Sequence, residues 1–477
     1  MFGYHPPMSR YQTLAEDTEK LIADGVLRPG DRLPSVRQAC RIHGISPVTV
    51  TQAYYLLEGR GLIEARPKSG YFVRARLGQS LAEPEMTHPV GHSTALEVSD
   101  FIFQILDSVK DPAVVPLGSS FPSPYLFPLD KLGRCLAGAA RRLDPLDTIT
   151  DLPPGNDELR RQLALRYLAH GANVSPQEIV ITSGAMEGLN LCLQAVTRPG
   201  ELIAVESPTF YAGLQASERL GLKVIEIPTH PREGVSLEAL EDALRHHPIK
   251  ACLFMLNFAN PMGSLVPAAR KRALVDLLHR YDVPLIEDDV YAELYFGPDA
   301  PLCSKAEDRD GLVMHVSSFS KSLAPGYRIG WVAAGRYASR IQRQKLSTSL
   351  ATTVPVQIAL ADYLKQGSYD KHLRSLRRIL ASQEAALVAA VEAEFPDGTR
   401  LARPLGGYFL WLELPRQVDA LVLHQLALEH GISIAPGPIF SAKREFGHCI
   451  RLNFGHPDLP RQQAAVVMLG RLVKGLL

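Results

Sequence analysis

The stretch that decides the fold of most of this 477-residue chain is Ser318-Phe319-Ser320-Lys321-Ser322-Leu323-Ala324-Pro325-Gly326-Tyr327-Arg328-Ile329-Gly330-Trp331. A lysine that condenses with a carbonyl must be neutral, and burial beside a cation such as Arg328 lowers a lysine pKa. The hydroxyls of Ser318 and Ser320 and the planar guanidinium of Arg328 suit a phosphate group. The run therefore predicts that Lys321 forms a Schiff base with a phosphorylated aldehyde cofactor.

Around this stretch, short β-branched runs alternate with longer helical patterns from about residue 112 onward, which predicts an α/β domain with a largely parallel sheet. The predicted strands lie at 179–181, 202–206, 224–227, 251–256, 285–287 and 313–316. Ligands on such folds collect beyond the carboxyl ends of the strands, and Lys321 follows the last of these runs.

Three polar motifs also follow predicted strands, and each has a plain structural alternative. The motif at 182–188 (TSGAMEG) opens a helix whose free NH groups suit a phosphate, or it is an ordinary strand-to-helix turn. The motif at 257–263 (NFANPMG) places the side chain of Asn260 at a strand end, or it is merely a turn, because Asn, Pro and Gly are turn residues. The motif at 287–291 (EDDVY) places carboxylates where a pyridinium nitrogen would need an ionised partner, or it forms a helix cap or an acidic rim. Their joint appearance in this order favours the cofactor site.

With these motifs, residues 112–477 resemble the fold type I pyridoxal-phosphate enzymes of the aspartate aminotransferase group. The resemblance implies that Lys321 forms the Schiff base, that Asp288 pairs with the pyridine nitrogen, and that Asn260 and Tyr291 contact the ring hydroxyl. It also implies a phosphate site made of Ser183, Gly184, Ala185, Ser318, Ser320 and Arg328.

The same resemblance covers three further positions. Phe210 is similar to the aromatic residue that stacks on the cofactor ring, and Tyr211 is the alternative. Arg451 is similar to the arginine that binds the substrate carboxylate by a bidentate fork, although a surface or interface salt bridge is the other interpretation. Thr150 stands where relatives have a tyrosine that reaches the neighbouring subunit's cofactor phosphate, so the cross-subunit contact is in question.

The amino-terminal segment differs from the rest of the chain in charge. Residues 1–76 carry 11 lysines and arginines against 7 acidic residues, a net +4, which leaves −3 for the remainder of a chain of net charge +1. A basic segment of this kind is typical of a region that binds a polyanion.

Helix and strand signals in this segment predict a winged helix-turn-helix. Ser35 is placed to cap a helix over 36–43, Gly44 ends it, and Ser46-Pro47 starts the next helix. Residues 62–66 and 71–73 are predicted to form a hairpin, the wing.

These motifs resemble the GntR winged helix-turn-helix, and its fusion to an aminotransferase-like domain resembles the MocR subgroup of regulators. The resemblance implies binding to double-stranded DNA, with Arg37 on a phosphate and Pro47 where many relatives have an arginine. The remaining implied DNA contacts are Ser46, Thr49 and Gln52 in the recognition helix, and Lys68, Ser69 and Gly70 in the wing.

The predicted organisation is a winged helix-turn-helix over 1–76, a linker and connecting helix over 77–111, and the aminotransferase-like domain over 112–477. The 6 scattered cysteines show no metal-ligand spacing, so neither a disulfide framework nor a metal site is indicated. The first residues have no apolar core of a signal sequence, and no apolar run approaches a membrane span, so we expect a cytoplasmic protein.

The main hypothesis is a transcriptional regulator that senses a small amino compound, or the cofactor itself, at Lys321. An active aminotransferase with an accessory DNA-binding domain is the alternative. A third hypothesis keeps the large domain only for dimerisation. The family resemblance implies a homodimer, and hence two DNA half-sites.

Overall fold

The computed structural model describes residues 10–24, 26–28, 30–59, 62–66, 69–73, 81–89, 91–107, 113–456 and 458–477. The chain divides into two compact units near residue 80. Among the described residues, no helix is both long and apolar enough to cross a bilayer.

The amino-terminal unit has the predicted order of three helices followed by a hairpin. Its elements are α1 (Arg10–Ala23), α2 (Val36–His43), α3 (Pro47–Gly59), β1 (Ile63–Arg66) and β2 (Gly70–Val73), with β1 and β2 antiparallel. Ser35 caps α2 in a capping box with Gln38, and Gly44 ends it in the left-handed conformation with φ 62°. The buried face of α3 (Val50, Ala53, Tyr54 and Leu57) packs with Leu14 and Ile22 of α1, so this unit has its own core.

The large unit is built on a sheet with parallel central strands. The strands are β3 (Thr94–Ala95), β4 (Ile179–Thr182), β5 (Leu202–Ser207), β6 (Lys223–His230), β7 (Gly234–Val235), β8 (Ile249–Phe254), β9 (Leu285–Asp288), β10 (Val313–Ser318) and β11 (Gly330–Ala333). Their order within the described residues is β3-β6-β5-β8-β9-β10-β11-β4, with β7 beside β6. Strands β6, β5, β8, β9 and β10 are mutually parallel, and β11 runs antiparallel to both of its neighbours. The predicted α/β fold with a largely parallel sheet is confirmed.

Helices cover both faces of this sheet, which explains why its central strands are buried along almost their whole length. Alternate residues of one strand face opposite sides, and Val205 and Leu253 pack in one core cluster while Ala204 and Cys252 pack in another. The helices of the unit are α4 (Ser99–Asp107), α5 (Leu129–Arg142), α6 (Asp147–Thr150), α7 (Asp157–Ala169), α8 (Ala185–Val196), α9 (Tyr211–Arg219), α10 (Leu237–His246), α11 (Ala268–Tyr281), α12 (Ala338–Thr348), α13 (Val354–Lys365), α14 (Ser368–Glu394), α15 (Ala420–Glu429) and α16 (Leu459–Gly475).

A second, antiparallel sheet lies in the carboxyl-terminal part of the large unit. It consists of β12 (Arg400–Leu401), β13 (Phe409–Glu413), β14 (Ala435–Pro436) and β15 (Cys449–Asn453), in the order β12-β13-β15-β14. Arg451 lies on β15, between Trp411 of β13 and Ala435 of β14.

The segment predicted as a linker is partly built into the large unit. Residues 94–95 form β3 at the edge of the sheet, and the connecting helix occupies Ser99–Asp107. The Thr87 hydroxyl donates to the Ser207 carbonyl over 2.6 Å, and the Ser99 backbone NH donates to Glu218 over 2.9 Å. Its composition is that of a flexible connection, but these tertiary hydrogen bonds fix its described residues on the large unit.

Candidate functional site

The sheet brings the ends of β4 and β10 together through the antiparallel strand between them. Gly330 of β11 pairs with Ser318 at the end of β10 and with Thr182 at the end of β4. A Cβ atom at Gly330 would lie 2.7 Å from the Gly184 carbonyl carbon and 2.8 Å from the Ser317 oxygen. A glycine is therefore required here for the two motifs to approach each other.

Lys321 lies just beyond β10 in a buried position, with 8% of its surface exposed. Its Nζ donates to the Ser120 carbonyl over 2.9 Å and lies 3.6 Å from the centre of the Phe121 ring. Burial, followed by the charges of Arg451 and Arg328, lowers the Lys321 pKa to about 7, although Asp288 opposes the shift. The amine is therefore close to the neutral, nucleophilic state at neutral pH.

Asp288 ends β9, the strand next to β10, and pairs in register with Val316. The side chain is buried, and its Oδ1 atom has no hydrogen-bond partner in the described structure. Burial and the adjacent Asp289 raise the Asp288 pKa to about 7, whereas Lys321 lowers it. A cationic ring nitrogen at this carboxylate would lower its pKa further and would satisfy the unpaired oxygen.

The predicted phosphate-binding residues converge at the start of α8. Arg328 donates from Nη1 to the Ser320 hydroxyl over 3.3 Å and from Nη2 to the Ser183 carbonyl over 3.2 Å. Gly184 has φ 85° and precedes α8, whose first NH groups have no partner within the helix. Together with Ala185 and Ser318, these residues form what we call the phosphate cup.

Arg451 is fully buried and faces neutral acceptors. Its Nη1 donates to Asn260 Oδ1 over 2.9 Å, its Nη2 donates to the Gly118 carbonyl over 2.6 Å, and its Nε has no hydrogen-bond partner in the described structure. The guanidinium carbon also lies 4.3 Å from the centre of the Phe409 ring. Among the described residues no carboxylate pairs with Arg451, so its buried charge is offset there only by neutral acceptors and aromatic rings.

The two candidate ring-stacking residues differ in their surroundings. The Tyr211 hydroxyl lies 2.8 Å from the hydroxyl of Ser120, and the carbonyl of the same Ser120 accepts from Lys321. Phe210 is only partly buried and packs against the core cluster of the sheet. The structure thus brings Tyr211 to the Lys321 site.

Asn260 Nδ2 lies 3.4 Å from the Tyr291 hydroxyl, so the two predicted ring-hydroxyl partners are adjacent.

Residues 118–121, which we call the covering segment, also contact this site and were not predicted. Besides accepting from Lys321, the Ser120 carbonyl accepts from the Tyr408 hydroxyl over 3.1 Å, and Asn453 donates to the Phe121 carbonyl over 2.7 Å. Most of these hydrogen bonds use backbone carbonyls, which any residue provides. The Gly-Ser-Ser-Phe-Pro run therefore carries only the signal of a loop.

Thr150 is the last residue of α6. Its side chain lies outside the described part of the structure, and with it the predicted loss of the cross-subunit contact.

The predicted DNA-binding residues lie on exposed parts of the amino-terminal unit. Arg37, Ser46 and Gln52 are exposed, and Thr49 is partly buried. The Ser46 hydroxyl accepts from the Thr49 backbone NH over 3.2 Å, so it caps α3. Ser69 and Gly70 lie at the turn into β2, while Lys68 falls outside the described residues.

Comparison with protein families finds two matches in this chain. Residues 10–73 match the model of bacterial regulatory proteins of the gntR family, and residues 141–467 match the aminotransferase class I and II model. The HTH-type transcriptional regulator YdcR of Escherichia coli K12 is 48% identical over 467 residues, which is 98% of this chain and 99% of that protein. The regulator YjiR of the same organism is 39% identical over 98% of this chain and 99% of its own length.

Solved structures similar to this chain cover the large unit. A kynurenine aminotransferase of Pyrococcus horikoshii, solved with PMP, matches 80% of this chain and 96% of its own, with a TM-score of 0.74 and 29% identity. LysN, an α-aminoadipate aminotransferase of Thermus thermophilus complexed with N-(5'-phosphopyridoxyl)-L-leucine, matches 80% of this chain and 99% of its own, with a TM-score of 0.71 and 28% identity.

Proposed function

We propose that this protein is a transcriptional regulator whose large domain binds pyridoxal phosphate and a small amino compound. The premise is its family, because the chain belongs to the MocR-like group of GntR-family regulators that carry an aminotransferase class I and II domain. The observation that carries the proposal is that one chain combines an exposed, capped recognition helix with a buried amine, Lys321, whose pKa is lowered to about 7.

Two observations support pyridoxal phosphate as the cofactor. A Cβ atom at Gly184 would lie 2.9 Å from Arg328 Cζ, so a side chain there would displace the guanidinium from the phosphate cup. The unpaired, buried Oδ1 of Asp288 suits a protonated ring nitrogen. We therefore assign Lys321 to the aldehyde, Asp288 to the ring nitrogen, and Asn260 and Tyr291 to the ring hydroxyl. Phe210 and Tyr211, whose rings lie 4.5 Å apart, are the candidates for the ring face.

When bound, pyridoxal phosphate supplies an electrophilic carbon and an electron-withdrawing ring. The residues of this chain provide the rest. Asp288 stays ionised and holds a proton on the ring nitrogen, the phosphate cup fixes the anionic end, and Lys321 accepts or returns a proton near neutral pH. The covering segment, with the Phe121 ring against the amine, shields Lys321 from water.

The amino compound is proposed to carry a carboxylate, which Arg451 binds. A buried guanidinium that faces only neutral acceptors is costly, and a carboxylate with bidentate geometry would offset that cost. The Asn260 and Gly118 oxygens now occupy Arg451 donors. A bound carboxylate would compete with these oxygens, so ligand binding is expected to move the covering segment.

The test is an absorbance titration of the purified full-length protein with pyridoxal phosphate, and then with amino acids, read beside a DNA mobility assay. We expect a visible band from bound cofactor, a change of this band with one class of amino acid, and a parallel change in DNA affinity. A DNA affinity that changes neither with the cofactor nor with any amino acid would contradict the sensing function.

The second candidate is a working aminotransferase, and the presence of Lys321, Asp288 and Arg451 in one buried site favours it. Turnover decides between the two functions. If an amino acid converts the bound cofactor to its amine form and a keto acid restores it repeatedly, the large domain is an enzyme. If the conversion occurs once or not at all while DNA affinity changes, it is a sensor.

A further inference from the structure

The recognition helix α3 carries an exposed stripe directly opposite its buried face. Val48 and Tyr55 are 67% and 60% exposed, and Gln52, which lies between them at i+4 from Val48, is also exposed. Residues spaced i, i+4 and i+7 form one face of a helix. The core face of the same helix is made of Val50, Ala53, Tyr54 and Leu57. The Val48–Gln52–Tyr55 stripe is therefore the part of α3 that points away from the core of the amino-terminal unit.

The hydroxyl groups of the first two turns of α3 are engaged within the helix. The Ser46 and Thr49 hydroxyls lie 2.8 Å apart, and Ser46 also accepts the Thr49 backbone NH. The Thr51 hydroxyl donates to the Pro47 carbonyl over 2.8 Å. Apart from Pro47, which is also exposed, Val48 and Gln52 are left as the outward side chains nearest the start of the helix, where recognition helices contact base edges.

The charge on α3 restricts what it can recognise. Its sequence, PVTVTQAYYLLEG, contains no lysine or arginine, the residues that most often bind guanine in the major groove. The neighbouring helix α2 carries the exposed cations Arg37 and Arg41. Arginines beside the recognition helix suit phosphates, which position a protein on DNA without selecting a sequence.

We propose that Val48 contacts the C5-methyl group of a thymine and that Gln52 pairs with an adenine, so that this stripe selects A·T base pairs. Thymine is distinguished in the major groove by its methyl group, which an apolar side chain contacts, and glutamine matches the N6 and N7 atoms of adenine. This inference rests on the proposed DNA-binding function and specifies which bases the recognition helix α3 contacts.

The test uses the full-length protein and duplexes selected from a random-sequence library. In the selected duplex each thymine is replaced, one at a time, by deoxyuridine, which lacks only the methyl group. We expect one position per half-site at which the replacement weakens binding about fourfold, the value for one buried methyl-sized group. Val48→Ala should bind the two duplexes equally at that position.

Val26→Ala is the matched control, because Val26 is 66% exposed in the same unit but lies outside α3. It should keep the wild-type preference for thymine over deoxyuridine. A selected half-site without thymine, or the same deoxyuridine penalty in Val48→Ala as in the wild type, would overturn the inference. Failure of the full-length protein to bind any duplex would instead overturn the DNA-binding function itself, and this inference with it.

Discussion

At the scale of single residues, the chemistry of the large domain depends on the Lys321 amine. Burial is the first cause of its lowered pKa, and the positive charge of Arg451 is the second. The same guanidinium is proposed to bind the ligand carboxylate. A carboxylate on Arg451 would cancel part of this charge, so ligand binding and the protonation of Lys321 are coupled.

The reactivity of Lys321 should rise as the pH passes through about 7 rather than through the ordinary lysine value of 10.5. Below that pH the amine carries a proton and cannot attack a carbonyl. The rate at which the cofactor-free protein attaches pyridoxal phosphate should increase about tenfold from about pH 6 to about pH 8. The rate is measured by borohydride reduction and mass spectrometry.

Arg451→Met should move this midpoint to higher pH, because it removes a charge that lowers the Lys321 pKa. Arg444→Met, which removes an arginine that packs over Phe101, should leave the midpoint in place. An unchanged midpoint in both variants would contradict the electrostatic role of Arg451.

Arg451→Met should also weaken the binding of the amino acid about tenfold to a hundredfold, because charge-assisted hydrogen bonds to the carboxylate are lost. The affinity of the matching amine that lacks the carboxylate should stay the same. The affinities are measured from the absorbance change of the bound cofactor. Equal losses for both compounds would mean that Arg451 has a structural role only.

At the scale of elements, the phosphate cup depends on β11 running antiparallel between β4 and β10. This strand order brings the start of α8 next to the residues that follow β10, and Gly330 and Gly184 allow the close approach. Behind the cup, Glu187 of α8 accepts the Ser183 backbone NH over 2.6 Å and pairs with the buried Lys345 over 2.9 Å. The cup is thus held by a partly buried ion pair as well as by backbone geometry.

Gly184→Ala should weaken pyridoxal phosphate binding at least about tenfold, since φ 85° is strained for alanine and the new methyl group would displace Arg328. Gly326→Ala is the matched control, because no atom lies within 4 Å of its added Cβ atom. The binding constants are measured by fluorescence quenching. Similar losses in both variants would show that the effect is not specific to the cup.

At the scale of the whole molecule, two separately packed units carry two chemistries. The amino-terminal unit has its own core, and the segment from residue 81 to residue 107 is tied, in its described part, to the large unit. Variants in one unit should therefore leave the basic activity of the other measurable. Lys321→Ala should lose covalent cofactor attachment and still bind DNA.

Arg37→Ala should weaken binding to all DNA sequences alike and reduce the slope of log affinity against log salt by about 0.9, the value for one lost phosphate contact. Arg340→Ala removes the same charge from an exposed position of the large unit and should leave the slope unchanged. Mobility assays at several salt concentrations measure the slope. A loss confined to one DNA sequence would mean that Arg37 contacts a base.

Much of the architecture follows from the sequence alone, because its signals are local. The β-branched runs, the Ser35 cap and the Gly44 stop predict elements that the structure confirms within a few residues. The candidate cofactor residues follow from motifs that come directly after strands, and parallel strands end at one edge of a sheet. The order of strands carries no such local signal.

Only the tertiary structure could decide the remaining features. The covering segment accepts hydrogen bonds from Lys321 and Arg451 largely through backbone carbonyls, which no residue pattern encodes. The contact of the Tyr211 hydroxyl with Ser120, the residue that accepts from Lys321, depends on the rotation of the chain at the start of α9. The sequence by itself thus determined the elements and the chemical groups, because propensity and hydrophobic period act between near neighbours. The packing of distant segments decided which groups meet, because that choice depends on contacts between residues far apart in the chain.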